Sequence, residues 1–308
     1  MDVELNATYI TLDGFIELHK YRYLYFVIMF TVYILILCCN STVIFLIVFQ
    51  RSLHEPMYIF IAALLLNSVL FTTAVYPKLL IDLLSERQII SIPACVFQHF
   101  MFYTLTASEF LLLTIMAFDR YVSICKPLQY PVIMSKRTVS ILLALPWTIS
   151  AFHISAFKLV VLNYNPQLCS FTLKGIYCNS RLYDLVCSSK TASVILTIII
   201  LINVAVLPVI LILFSYTSIL IISCRSCVEV RTKAAQTCFP HLLVLISFSC
   251  LVGSDVITTS QQFEVSEAFI MNLQIVMFQP LFNPIIYGLK MKEISKHLKK
   301  LLCRVRIN

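Results

Sequence analysis

Seven stretches of this chain are each long and apolar enough to cross a lipid bilayer, and nothing else in the sequence constrains the fold as strongly. A spanning helix needs about 20 mostly apolar residues, because each adds only about 1.5 Å of rise. The stretches cover 24–49, 57–83, 93–125, 138–161, 191–224, 235–258 and 267–289. Composition agrees, with 60% of the 308 residues apolar, 12% charged and a mean hydropathy of +0.91. Soluble chains carry about 25% charged residues, and so much apolar surface cannot close around one aqueous core. Disorder is excluded for the opposite reason, since it needs high charge and few apolar residues. The expected fold is an all-α membrane protein, a seven-transmembrane helix bundle.

Charged and turn-forming segments at 51–56, 85–87, 126–131, 225–233 and 260–267 separate the stretches, and 162–190 forms the longest break. No fixed-period repeat or low-complexity linker divides the chain. Residues 1–308 therefore read as one membrane domain, with a tail over 1–23, helices over 24–289 and a second tail over 290–308. The net charge of +8 comes from 23 basic and 15 acidic residues. Arg51, Lys126, Lys136, Arg137, Arg225, Arg231 and Lys233 fall in alternate breaks, on the same side as Arg120 at the end of the third stretch and the basic tail. The remaining segments hold most of the acidic residues. This bias predicts an extracellular N-terminus and a cytoplasmic C-terminus. Lys20 and Arg22, just outside the first helix, oppose it and are outweighed. The basic balance is then an orientation signal, and no nucleic-acid partner is implied.

The first twenty residues are acidic and lack a basic n-region, so the first helix itself is the expected targeting signal. Asn6-Ala7-Thr8 is a glycosylation acceptor in the outer tail. Near the other end, Met291, Ile294, Leu298, Leu301 and Leu302 recur at helical spacing among lysines. That pattern predicts a short amphipathic helix lying on the cytoplasmic membrane surface. Of twelve cysteines, most sit inside apolar runs as small buried side chains. Cys95, Cys169, Cys178 and Cys187 lie on the outer side, where three pairings are open to them.

The third helix carries the most chemistry. Phe102, Thr106, Glu109, Leu113 and Arg120 fall near whole helical turns from one another, so they share one face. Phe102 and Arg120 are separated by about 27 Å of rise, close to the hydrocarbon thickness. Glu109, inside the span, costs about 2.5–3.5 kcal/mol to insert unpaired. Two readings are open: a sodium site shared with Ser68 or Asn67 and with Asn283, or a protonated acid bonding helices together. No other cofactor is expected. Asp119-Arg120-Tyr121 closes the helix, an arginine held by its neighbour and releasable to a cytosolic partner. In helix seven, Pro284 removes a helix hydrogen bond, and Asn283 is expected to satisfy the freed carbonyl, giving a hinge above Tyr287.

These residues resemble the rhodopsin-like G-protein-coupled receptors. Met-Ala-Phe-Asp-Arg-Tyr-Val-Ser-Ile-Cys-Lys-Pro-Leu-Gln-Tyr over 116–130 resembles the odorant receptors in particular. So do Pro56-Met57-Tyr58, Ser215-Tyr216 and Lys233-Ala-Ala-Gln-Thr-Cys-Phe-Pro-His241. Asn67-Ser68 stands in place of the usual aspartate-bearing stretch, which with Pro77-Lys78 tilts the resemblance toward the fish-type branch. The resemblance implies a Cys95–Cys178 bridge and a second loop closed by Cys169 and Cys187. It also implies a small-molecule odorant bound between helices three, five, six and seven. A stimulatory olfactory-type G protein would engage the inner face through Asp119, Arg120, Tyr121, Tyr216, Lys233, Asn283, Pro284 and Tyr287, raising cyclic AMP.

Pocket composition narrows the ligand by exclusion. Phe102 stands where an amine receptor carries aspartate, and Met277 where an opsin carries its retinal lysine. Phe102, Tyr103, Thr106, Ile200, Asn203, Val252, Val256 and Leu273 are the expected lining, ordinary helix packing being the alternative at each. Asp255, near the outer end of helix six, is expected either to select ligands bearing a positive group or to sit in water at headgroup level. His99 and His153 are expected to satisfy local hydrogen bonds. A transporter is disfavoured by the absence of an inverted repeat and by an intramembrane charge confined to Glu109. An intramembrane enzyme is disfavoured because the spans offer no nucleophile–base pair. A peptide or lipid receptor is the closer alternative.

Overall fold

The computed structural model describes residues 9–15, 21–163, 168–185, 195, 198–224, 228–260 and 265–307, with no side chain described for parts of α4 to α8. Seven long helices follow in order: α1 (Arg22–Phe49), α2 (Pro56–Leu84), α3 (Ile92–Cys125), α4 (Lys136–Asn163), α5 (Ile198–Ile222), α6 (Val228–Ser260) and α7 (Val265–Lys290). A shorter α8 covers Lys292–Ile307. The ends lie within a few residues of those expected, except that α6 starts earlier and the expected α5 start at 191 lies outside the described residues. Arg22, expected just outside α1, is its first residue. Helices α1 to α5 are long and apolar enough to cross a bilayer, and α6 adds a described apolar stretch, Cys238–Ser254.

Prolines shape the bundle. Pro56 and Pro93 open α2 and α3, where a missing N–H costs nothing. In α5 the chain widens to a π turn over Ile202–Val206, just before Pro208, which cannot donate to the preceding turn. Pro284 frees the carbonyl of Pro280 one turn earlier. Asn40 of α1 takes that carbonyl, its Nδ2 donating at 2.9 Å and also to the Ile36 carbonyl at 2.8 Å. Asn283 was the expected partner. Its amide instead turns toward α2 and α3, because the packing of α1 on α7 already brings Asn40 to the freed carbonyl.

The hydrogen bonds of Asn40 make α1 part of the helix-seven bend. Asn40→Leu is expected to lower stability by roughly 1–2 kcal/mol, since a buried carbonyl loses its donor in an apolar setting. Thermal unfolding of the detergent-purified protein checks this. An unchanged midpoint would mean that the carbonyl finds another donor.

Apolar side chains form two cores. One lies toward the end of the bundle that carries the N-terminal strand, called here the lid end, and includes Phe71, Tyr76, Phe102, Tyr177 and Val276. The other lies toward α8 and includes Phe60, Leu113, Met116, Phe248 and Tyr287. Trp147 and Val252 touch both. Outward faces carry exposed apolar residues such as Phe30, Phe45, Leu213 and Phe214. In water such a surface would be a liability; in lipid it is the solvated face. Met291, just before α8, and Ile294 on it are buried against the bundle and lysines face away, as the tail pattern predicts.

A three-stranded sheet caps the lid end. Strand β1 (Tyr9–Leu12) lies between β2 (Ile89–Ser91) and β3 (Thr172–Leu173), antiparallel to the first and parallel to the second. The tail was not expected to form structure. Its signal was the alternation Tyr9-Ile10-Thr11-Leu12, which puts Ile10 and Leu12 inward and Tyr9 and Thr11 outward.

Candidate functional site

At the lid end, α3 and the long loop before α5 are tied by a Cys95–Cys178 disulfide, with Cα atoms 5.4 Å apart. Cys169 is also disulfide-bonded, and Cys187, expected to close that second loop, lies outside the described residues. The loop is held on α3 by further bonds. The Cys178 N–H donates to Gln98 Oε1 at 3.0 Å, and the Ser180 N–H to the Tyr103 hydroxyl at 2.8 Å. These bonds bring Tyr177 into the bundle. Its ring stacks on Phe102 with centroids 4.7 Å apart, and its hydroxyl donates to Asn272 Oδ1 of α7 at 3.3 Å. Phe71 of α2 also packs on Phe102, with centroids 5.1 Å apart.

The expected ligand residues divide here. Phe102, Tyr103, Val252 and Leu273 meet in this lid-end core, and Thr106 lies one turn below, its Oγ1 donating to the Phe102 carbonyl at 2.8 Å. Asn203 does not join them: it is exposed, and its Nδ2 donates to the Ile199 carbonyl of its own helix at 2.9 Å. The π turn that contains it changes which face it occupies. Ile200 is half-buried just before that turn. Asp255 and Val256 lie on α6 beyond the described side chains. Tyr177 carries no periodic signal because it is a loop residue before a cysteine, and Asn272 is a single amide beside Leu273 on α7.

His99 packs its ring on Tyr103 at 4.6 Å and edge-on to Tyr183 at 5.0 Å. The Tyr183 phenol titrates well above its ordinary range, chiefly through burial and then through Tyr103 beside it. It therefore stays neutral at physiological pH. His153 donates locally from Nδ1 to the Ile149 carbonyl at 2.8 Å.

Midway along α3, Glu109 is buried and its Oε1 accepts two amide donors from α7. Gln279 Nε2 lies at 2.5 Å and Asn283 Nδ2 at 2.8 Å, the latter also donating to Ser68 Oγ of α2 at 2.9 Å. Asn67 does not take part. It binds the Leu105 carbonyl at 3.0 Å and accepts from Trp147 Nε1 at 3.1 Å, tying α2, α3 and α4. Asn283 Oδ1 and Gln279 Oε1 are buried without a hydrogen-bond partner. Rotating both amides would turn these oxygens, with Ser68 Oγ, toward the carboxylate, an all-oxygen donor set of the kind that suits a hard cation. Glu109 is also not the lone charge in the spans. Asp82 of α2 is buried and paired with Lys78 one turn earlier. The pair was overlooked because its two members fall one turn apart near a helix end.

Toward α8, Asp119 is fully buried and binds the Arg120 guanidinium, with Nε at 2.9 Å. Tyr130, from the helical turn Tyr130–Ile133, donates its hydroxyl to Asp119 Oδ1 at 2.9 Å. Burial, then the Asp119 charge and this hydrogen bond, raise the Tyr130 phenol well above its usual range, so it remains a donor. Arg120 lies within electrostatic reach of Tyr216 on α5 and of His241 on α6. His241 Nδ1 in turn sits 3.3 Å from the Tyr287 hydroxyl of α7. Tyr121 is half-buried beside the same core, and the Lys233 side chain lies outside the described residues. Four helices thus converge on one buried polar cluster. His241 carries no spacing signal of its own in the sequence, where it ends the α6 motif that Lys233 opens.

A heptahelical membrane fold, with a disulfide-tied loop over one end and an Asp-Arg pair at the other, defines a seven-helix receptor. The family model for olfactory receptors matches residues 29–305, and this chain belongs to that family of G-protein-coupled receptors. Members of the family are receptors and not enzymes. The chain is 33% identical to human olfactory receptor 11A1 over 301 residues, covering 97% of this chain and 95% of that one. It is equally 33% identical to human olfactory receptor 10J4 over 305 residues, covering 97% of each.

Proposed function

We propose that this protein is an odorant receptor, acting as a single seven-helix unit, that binds a small molecule between its helices at the lid end and activates a stimulatory olfactory-type G protein at the α8 end. The lid end faces the cell exterior, the α8 end faces the cytosol, and the protein resides in the plasma membrane. One observation carries this reading. A single helix, α3, runs from the Phe102–Tyr177 stack through the Glu109 cluster to the Asp119–Arg120 pair. Such a rod lets a ligand that favours one helix arrangement bias the other end of the bundle. Phe102, Tyr103, Thr106, Val252, Val256, Leu273 and Ile200 belong to the proposed ligand region, and Asp255 selects ligands with a positive group. Asp119, Arg120, Tyr121, Tyr216, Lys233, Asn283, Pro284 and Tyr287 form the coupling region. Asn6 carries a glycan, and Cys169 pairs with Cys187.

Asn67-Ser68 and Pro77-Lys78 tilt this reading toward the fish-type branch. Cyclic AMP in cells expressing the chain, measured against a panel of water-soluble and volatile compounds, tests the function. At least one compound should raise cyclic AMP above untransfected cells. Uptake or current without any cyclic AMP response would replace this reading with a transporter.

Sodium is the candidate ion at Glu109, Ser68 and Asn283, with Gln279 beside them. Bound there, it would supply one positive charge to the buried carboxylate. Sodium chloride, compared with potassium chloride at equal ionic strength, should then raise the thermal midpoint of the parent and not of Glu109→Gln. Equal midpoints in both salts would leave Glu109 as a protonated bridge between α3 and α7.

A further inference from the structure

The N-terminal strand is more than a passing contact. It is the central strand of the lid, with Tyr9 opposite Ser91, Ile10 opposite Ile90 and Thr11 opposite both Ile89 and Thr172. Backbone bonds hold it from both sides. Leu12 N–H donates to the Gln88 carbonyl at 2.8 Å, Thr11 N–H to Phe171 at 2.8 Å and Asp13 N–H to Leu173 at 2.9 Å. Ile10, Leu12 and Phe15 are buried in the lid-end core among the same residues that hold Tyr177.

Just past the strand the chain touches the loop backbone to backbone. Gly14 N–H donates to the Gly175 carbonyl at 3.2 Å, and a Cβ on Gly14 would fall 2.6 Å from the Gly175 carbonyl carbon. Only glycine fits that approach. Gly175 is two residues before Tyr177, whose ring is buried between Phe102 and Asn272. Strand, glycine contact and tyrosine thus form one connected stack, from the exposed side chain of Thr11 down to α3 and α7.

We propose that β1 is a strap that holds the Tyr177 ring inside the bundle and so gates entry to the slot between Phe102 and Asn272. The slot is shaped by the group that fills it. Its ligand has a flat apolar body to lie on Phe102 and a hydroxyl or similar donor for Asn272 Oδ1, as in a phenol or a compact cyclic alcohol. Entry requires the strap to loosen and Tyr177 to withdraw. This rests on the reading of the lid end as a ligand site, and the test needs neither ligand nor G protein.

The thiol introduced by Thr106→Cys, one turn below Phe102, reports access to the slot. The full-length receptor in lipid nanodiscs is treated with a small water-soluble methanethiosulfonate, and labelling of the parent without this thiol is subtracted. Adding Gly14→Ala, which collides with Gly175, or Ile10→Ser, which removes a buried anchor, should speed labelling about fivefold or more. Gly253→Ala, with nothing within 4 Å of the new methyl, should leave the rate unchanged. Hydrogen exchange at Thr11, Leu12 and Asp13 shows whether the strand has come free in each variant. Faster exchange there with labelling no faster than in the Thr106→Cys parent overturns the strap. So does labelling that is already fast while the strand amides remain protected.

Discussion

Arg120→Ala should reach the cell surface at the parent's level and lose its ligand-evoked cyclic AMP, a fall on the order of tenfold or more. The arginine sits at the α8 end, 12% exposed, held by the fully buried Asp119 carboxylate. Tyr130 still donates to Asp119 after the substitution, so that carboxylate is not stranded and the bundle keeps its fold. What disappears is the cation that, among the described residues, α5 and α6 share with α3 through Tyr216 and His241. Surface staining with an N-terminal epitope, beside a cyclic AMP assay, separates folding from coupling. Full signalling from a well-expressed Arg120→Ala protein would remove this arginine from the coupling site.

Cys178→Ser is expected to act at the other end and on the other quantity. Losing a bridge that spans 83 residues of sequence costs about 2–4 kcal/mol, and here it also releases the loop that carries Tyr177. Surface staining should fall to background while total protein persists inside the cell. Cys95→Ser should match it, and the double variant should be no worse than either single one, because both remove the same bond. Normal surface levels and normal ligand response in either variant would make the bridge dispensable.

The bundle was legible because lipid imposes a simple rule: a span needs length and apolarity, and both are written residue by residue. The Asp119–Arg120 pair and Glu109 were legible for the same reason in reverse, as charges where charge is costly. Partner identity was not. Asn40 and Asn283 are both single amides in apolar helices, and only the packing of α1 on α7 decides that Asn40 takes the Pro280 carbonyl while Asn283 turns to Glu109. Asn67 and Ser68 are neighbours in sequence, yet a rotation of one residue sends the first toward Trp147 and leaves the second at the Glu109 cluster. Asn203 looked like a pocket residue on a regular helix; the π turn rotates it out. The lid was hidden because its strands are two to four residues long and drawn from three distant segments. Pairing of that kind depends on where the helices end.

The most direct measurement is nucleotide exchange on a purified stimulatory G protein beside the receptor in nanodiscs. An active compound should accelerate exchange with the parent and leave it at the basal rate with Arg120→Ala, while both proteins bind the compound with similar affinity. Binding by the parent without any acceleration of exchange would contradict the link along α3 from ligand to G protein.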